Sequence, residues 1–208
     1  MQNRTCHTGL ADWSACNRCR LHATRRRVAI RRDSDGGRRS IHLGIIGEAP
    51  GETEDILGIP FTGISGRILD YMLDHVGHQF SYVITNMVGC RPMTIITVGE
   101  VTELDTLPED PDEYEIIDKN REPNAAEIEA CRPHIDELIQ SEDFDGIVYL
   151  GKVATKHKVK LPSIELFHPA YIARMEYKLL TVLRQARKLS KFIEKIKERK
   201  GEGNLSRP

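Results

Sequence analysis

"IHLGIIG", residues 41 to 47, is a short apolar run that breaks at Gly47 into "EAPGETEDILGIPFTG", residues 48 to 63, a stretch crowded with Gly, Pro and acid. A run of this length and composition, stopped by a turn, reads as a buried strand. Three more share its form: "YVITNMV" (82 to 88), "GIVYLG" (146 to 151) and "SIELFHP" (163 to 169). Helical patterns lie between them. "SGRILDYMLDHVG" repeats apolar residues at 68, 69, 72, 73 and 76, and "NAAEIEACRPHIDELIQ" carries Ile128, Ile135, Leu138 and Ile139 at helical spacing. A last helix, roughly 173 to 199, is amphipathic and basic. Strands alternating with helices predict an α/β fold whose mostly parallel sheet is covered on both faces.

In such a sheet a ligand sits beyond the carboxyl ends of the strands. Those ends read "GEAPG", "TNMVGC", "LGK" and "FHP", so Glu48, Asn86 and His168 are expected at one rim. Four carboxylates, Glu48, Glu52, Glu54 and Asp55, crowd the turn after the first strand. The 208 residues suit one domain, 1 to 208, with a frayed tail at about 200 to 208. Residues 93 to 123 interrupt the alternation. Two β-like patches there, "TIITV" and "YEIID", flank an acidic turn and suggest an inserted hairpin, with an acidic loop as the alternative.

The formal net charge of -1 hides an asymmetry, because Arg25, Arg26, Arg27, Arg31, Arg32, Arg38 and Arg39 crowd one end while 100 to 122 is mostly acidic. Dense arginines suit phosphate contacts, or form a solvated face. No run of about 18 apolar residues exists, and no secretory pattern opens the chain, so a cytoplasmic protein without a membrane anchor is expected. Five cysteines in that setting argue against a disulfide framework. Cys16 and Cys19 form a CxxC, Cys90 and Cys131 each precede Arg-Pro, and Cys6 stands alone. Four thiolates suit zinc or an iron-sulfur cluster, with unrelated buried thiols as the plain alternative.

"CNRCRLH", "GEAPGETEDILGIPFTGISGRILD", "ITNMVGCRP", "EIEACRP" and "HPAYIAR", in this order, resemble the family 4 uracil-DNA glycosylases, which are iron-sulfur enzymes. The likeness covers roughly residues 16 to 192, apart from the insertion. It implies a three-layer α/β/α sandwich around a four-stranded, mostly parallel sheet. It also implies a [4Fe-4S] cluster on Cys16, Cys19, Cys90 and Cys131, with zinc as the alternative, and leaves Cys6 free. The insertion lengthens the chain between Cys90 and Cys131, so it has to leave and return beside the cluster.

The reaction implied is hydrolysis of the bond between deoxyribose and uracil in single- or double-stranded DNA, by an enzyme expected to act as a monomer. In a duplex the base must first be rotated out of the stack, at a cost of a few kcal/mol. Gly47, Ala49, Phe61 and Asn86 match the family's base pocket, with Phe61 stacking on the uracil face and Asn86 reading its O4 and N3-H edge. His168 matches the donor to uracil O2, acting neutral. Glu48 and Glu54 match positions implicated in catalysis, on the water and the sugar. Asp55 is expected to cap the following turn and Glu52 to be solvated. Ala49 stands where another uracil glycosylase family has an aspartate for the water. Ser65 and Gly66, opening a helix, are candidates to hold a DNA phosphate, Ser65 also to cap that helix. Tyr171, Ile172 and Arg174 are candidates to wedge into the duplex.

Alternatives stay open. The pocket would suit a modified uracil if altered to admit it. A relative that traps the abasic site through a histidine in a basic loop is disfavoured, since the insertion is acidic and has no histidine between Cys90 and His134. A non-catalytic DNA- or partner-binding module, with the insertion as an arm for a protein partner, is a second class. A nucleotide-binding protein is a third, and "GEAPG" lacks the Lys and Ser/Thr of a phosphate loop.

Overall fold

The computed structural model describes residues 16, 18–19, 21, 30–33, 39–77, 80–97, 100–102 and 114–205. Eight strands and five α-helices alternate along them. They are β1 (Arg31–Arg32), β2 (His42–Gly47), α1 (Glu52–Leu57), α2 (Ile64–Val76), β3 (Ser81–Asn86), β4 (Met93–Thr97), β5 (Glu100–Thr102) and β6 (Tyr114–Asn120). Then follow α3 (Ala125–Glu142), β7 (Gly146–Leu150), β8 (Ser163–Leu166), α4 (Pro169–Ala173) and α5 (Lys178–Leu205). The main sheet runs β1-β3-β2-β7-β8. All its pairings are parallel except β1 with β3.

Period-2 alternation divides the sheet between two cores. Leu43, Ile45, Ile84, Val148 and Leu150 face α2, α4 and α5, meeting Leu69, Met72, Ile172, Ala186 and Leu189. Ile46, Val83, Ile147 and Tyr149 face the other way, onto Ile128, Ile135 and Leu138 of α3. The expected three-layer α/β/α sandwich is therefore present.

Four details correct the sequence reading. The sheet has five strands, because the two residues of β1 add an antiparallel edge that no periodicity could announce. The "HP" of "SIELFHP" leaves the sheet: β8 ends at Leu166, His168 is the N-cap of α4, and Pro169 is its first residue. The last helix, expected from about 173, starts at Lys178 after the separate short α4, and it runs through to Leu205, where a frayed tail was expected. The insertion is more than a hairpin, since its described strands form a three-stranded antiparallel sheet, β5-β4-β6. Met93 pairs with Asn120 at its base. The acidic turn at 103–113 lies outside the described residues.

The arginine cluster divides as well. Arg31 is buried, donates to Phe61 O at 2.7 Å and pairs with Asp70 of α2. Arg32 holds Glu142 in a two-point contact, and this keeps that carboxyl below its usual range. Both are engaged in ion pairs within the fold, so of the two readings left open for the cluster these two arginines do not support phosphate contacts. Arg25, Arg26, Arg27 and Arg38 lie outside the described residues.

Candidate active site

The parallel register of β2 and β3 sets Gly47 beside Asn86 at the carboxyl rim. Met87 N–H to Gly47 O at 2.9 Å and Val88 N–H to Glu48 O at 3.0 Å extend that pairing past the strands and fix the backbone of Glu48. A side chain on Gly47 would collide at 2.5 Å with both Asn86 Oδ1 and the Phe61 ring. Only glycine lets those two groups share the space above β2.

Phe61 reaches that space through a strained backbone. Its φ of 55° lies in the left-handed region that bulky residues avoid. Three contacts hold it there: Arg31 on its carbonyl, Gly66 packed against its backbone, and Glu54 gripping the next residues. Glu54 Oε1 accepts Thr62 N–H at 3.0 Å and Gly63 N–H at 2.7 Å, and Oε2 accepts Gly51 N–H at 3.1 Å. Strain concentrated in this way is a common mark of a functional position.

On the far side, Gly151 (φ 84°) turns the chain after β7 and passes 3.0 Å from His168 Cβ, counted from where its own Cβ would be. His168 Nδ1 accepts Ala170 N–H at 3.1 Å, which caps α4. Because Nδ1 accepts, the neutral ring carries its proton on Nε2. That atom is buried and has no hydrogen-bond partner among the described residues, and the same is true of Asn86 Oδ1. Burial above all, then the Arg174 charge, lowers the His168 pKa to about 4, so the ring is neutral at physiological pH. The Phe61 and His168 rings lie 6.1 Å apart, tilted by 39°.

These groups line a cavity of about 870 Å³ together with Glu48, Ala49, Ser65, Tyr171 and Arg174. Glu48 is half-buried, and its carboxylate makes no hydrogen bond among the described residues. Desolvation first, then the nearby Glu122 charge, raises its pKa, while Lys156 and Arg174 oppose this.

The cavity thus gathers most residues the sequence nominated, with corrections. Glu54 lines it, but both its oxygens are spent on backbone N–H groups, so its work is to position the Phe61 turn. Gly66 is buried against Phe61, away from the rim, and Ile172 is 1% exposed in the core, so it is no wedge. Gly63, not Ser65, caps α2, and Asp55 lies inside α1, whose N-cap is Gly51. Glu52 is exposed, as expected. Tyr171 stays on the surface, edge-on to Phe167 with ring centroids 5.6 Å apart.

Sequence reasoning missed Asn120, Arg121, Glu122, Lys152 and Lys156 in the cavity wall. Three of them close the insertion, at the end of β6 and just past it, and two follow β7 in "LGKVATK". The one available signal was the position of Lys152, just past a strand's carboxyl end.

Glu54 gives a test that separates positioning from direct catalysis. Glu54→Gln replaces the acceptor at Gly51 N–H by a donor and should cost about 2–3 kcal/mol. The thermal midpoint should then fall by roughly 5–10 °C. A large loss of rate with an unchanged midpoint would return Glu54 to the reacting groups.

The four candidate thiols share one region. Cys90 and Cys131 are buried in the α3 core and Cys19 packs against it. Cys16 Sγ lies 3.4 Å from His134 Nε2, one turn along α3 from Cys131. Among the described residues no group of three or more His, Cys, Asp and Glu side chains is arranged to hold a metal ion. The agreement is one of neighbourhood rather than of coordination geometry. Cys6 lies outside the described residues.

Comparison with known proteins adds an independent finding. Residues 35–197 match the model of the Uracil DNA glycosylase superfamily. The chain is similar to the type-4 uracil-DNA glycosylase of Pyrobaculum aerophilum, 31% identical over 70% of this chain and 60% of the relative. That of Saccharolobus solfataricus is 28% identical over 73% and 57%. The type-4 enzyme of Thermotoga maritima is 28% identical over 86% of this chain and 90% of its own. The matched part thus spans a little under two thirds of the first two relatives and most of the third.

Proposed function

The chain belongs to the uracil DNA glycosylase superfamily, and on that premise we propose that it is a monofunctional glycosylase that removes uracil from DNA and leaves an abasic site. One observation carries this reading. Asn86 Oδ1 and His168 Nε2, a buried acceptor and a buried donor without partners among the described residues, belong to side chains lining one cavity with the Phe61 ring. Unpaired buried polar atoms are costly unless a ligand completes them.

Uracil offers the matching groups. Its face stacks on Phe61, replacing the neighbours it loses on leaving the duplex. Its N3-H donates to Asn86 Oδ1. Cytosine has an acceptor at that position and leaves Asn86 unpaired, a mismatch that polar sites punish heavily. As the bond from C1′ to N1 breaks, its electron pair moves into the base and charge gathers on O2. The His168 Nε2 proton meets it, a donor already in place before reaction. Water adds to C1′ and gives up a proton, which the Glu48 carboxylate accepts. Glu48, the half-buried carboxylate with no hydrogen-bond partner among the described residues, orients that water and faces the positive charge on the sugar. Tyr171, Arg174 and Lys152 on the rim meet the DNA backbone, so binding weakens with salt.

The thiols fit a resident [4Fe-4S] cluster held by Cys16, Cys19, Cys90 and Cys131, supported by their common neighbourhood and by the resemblance to iron-sulfur enzymes. When bound it supplies a structural clamp. The cysteines tie the segment around residue 16 to the loop after β3 and to α3.

Excess protein is incubated with oligonucleotides carrying one central uracil, hydroxymethyluracil, thymine or cytosine, then treated with alkali to cut abasic sites. Cleavage is expected at uracil alone, in single strands and duplexes. Cleavage confined to substituted uracils selects a modified-base glycosylase, and none at any base rejects the proposal.

A further inference from the structure

Asn120, Arg121 and Glu122 join the insertion to the cavity, and all three are pinned or paired. Asn120 Oδ1 accepts from Arg91 Nε at 2.6 Å. Arg121 donates to Met93 O at 2.8 Å and grips Glu127 at 2.9 and 2.6 Å. The segment so fixed presents Glu122, whose Oε1 accepts from Lys156 Nζ at 2.9 Å. At 61% and 47% exposure this ion pair adds little to stability. Its interest lies in what it faces, because both partners line the same cavity as Glu48.

We infer that Glu122 is a positioning residue for the reaction, acting through Lys156: it holds that ammonium away from Glu48, so the Glu48 carboxylate stays available to the attacking water. This rests on the glycosylase reading above.

The two partners act on Glu48 with opposite sign, Glu122 favouring the protonated carboxyl and Lys156 the ionised one. The other charged groups around the cavity do not replace them. Glu54 is tied to backbone N–H groups and Arg121 is tied to Glu127. Glu165 and Lys152 also line the cavity, but the charges that act on Glu48 are those of Glu122, Lys156 and Arg174. His168 is neutral at physiological pH, and Arg174 weakly reinforces Lys156. Without Glu122, Lys156 is released to pair directly with Glu48, which would become more acidic and a weaker acceptor for the water proton.

The test is a two-variant cycle on the full chain with two readouts. One is the pH dependence of uracil release under single turnover from a uracil-bearing single strand. The other is the titration of Glu48 by carboxyl 13C NMR without DNA. In Glu122→Gln the acid limb and the Glu48 titration should both move to lower pH, and the plateau rate should fall roughly two- to fivefold. In Lys156→Met both should move to higher pH. The double variant should lie between the two. Shifts in the same direction, or none in either readout, overturn the inference. If the titrations separate as described while no uracil is released even by the unaltered protein, the coupling stands and the glycosylase reading falls.

Discussion

His168→Ala is expected to slow uracil release by roughly 10²- to 10³-fold, about 2.7–4 kcal/mol of transition-state stabilisation, the range for losing one preorganised donor at a developing oxyanion. Affinity for uracil-bearing DNA should stay within a few fold, because the rim groups that meet the backbone are untouched. The assignment rests on the tautomer. Ala170 N–H occupies Nδ1, so the proton sits on Nε2, which has no partner among the described residues. His168→Gln, which can still donate, should recover part of the loss.

Stability offers a second reading of the same residue. The folded-state pKa of about 4 lies below the value of about 6.5 for an exposed histidine, mainly through burial. The unfolded chain therefore takes up the proton first as pH falls. The stabilising contribution is complete above about pH 6.5 and is lost progressively toward pH 4. His168→Ala should flatten stability across that window, as measured by urea unfolding. A retained slope would place the titrating group elsewhere.

The second large effect belongs to a residue that touches no ligand. A Cβ on Gly66 would lie 1.8 Å from Phe61 O and 2.2 Å from Phe61 C, so Gly66→Ala must push the Phe61 backbone out of its left-handed conformation. The displaced carbonyl also leaves the buried Arg31. Overpacking combined with a lost charge-assisted bond should cost about 3–5 kcal/mol. That corresponds to a thermal midpoint lower by roughly 10 °C. Uracil release should fall with it, since the stacking ring moves. Gly201→Ala is the contrast. Nothing lies within 4 Å of a Cβ there, and alanine favours an exposed helix by about 1 kcal/mol. If Gly66→Ala matched Gly201→Ala, Phe61 would not be held as described.

Much of this was legible in the sequence, for physical reasons that also mark the limits. Alternating β-rich and helical runs write the sheet and its coverings directly, because burial on both faces demands them. The rim convergence of Glu48, Asn86 and His168 follows from strand ends alone. Composition could not separate Glu48 from Glu54, two carboxylates on one turn. Their difference lies in hydrogen bonds to Thr62 and Gly63, which need the folded loop. Arg31 looked like part of a basic surface because its partners, Asp70 and Phe61 O, are 39 and 30 residues away. Glu122 and Lys156 escaped notice for a similar reason: one lies at the end of an apparent interruption, the other past an ordinary strand, and only three dimensions set them side by side. His168 was nominated by its motif, but its tautomer depends on the short helix that β8 was expected to extend into.

The proposed function requires the Asn86 and His168 side chains to receive the uracil edge in the Phe61 cavity. Nitrogen-15 NMR of protein labelled in asparagine and histidine, titrated with free uracil and with cytosine, reads both groups at once. Uracil is expected to shift the Asn86 side-chain amide and the His168 Nε2–H together, with a common saturation curve, and cytosine to shift neither. Uracil leaving both signals unmoved while the same protein excises it from DNA would contradict it.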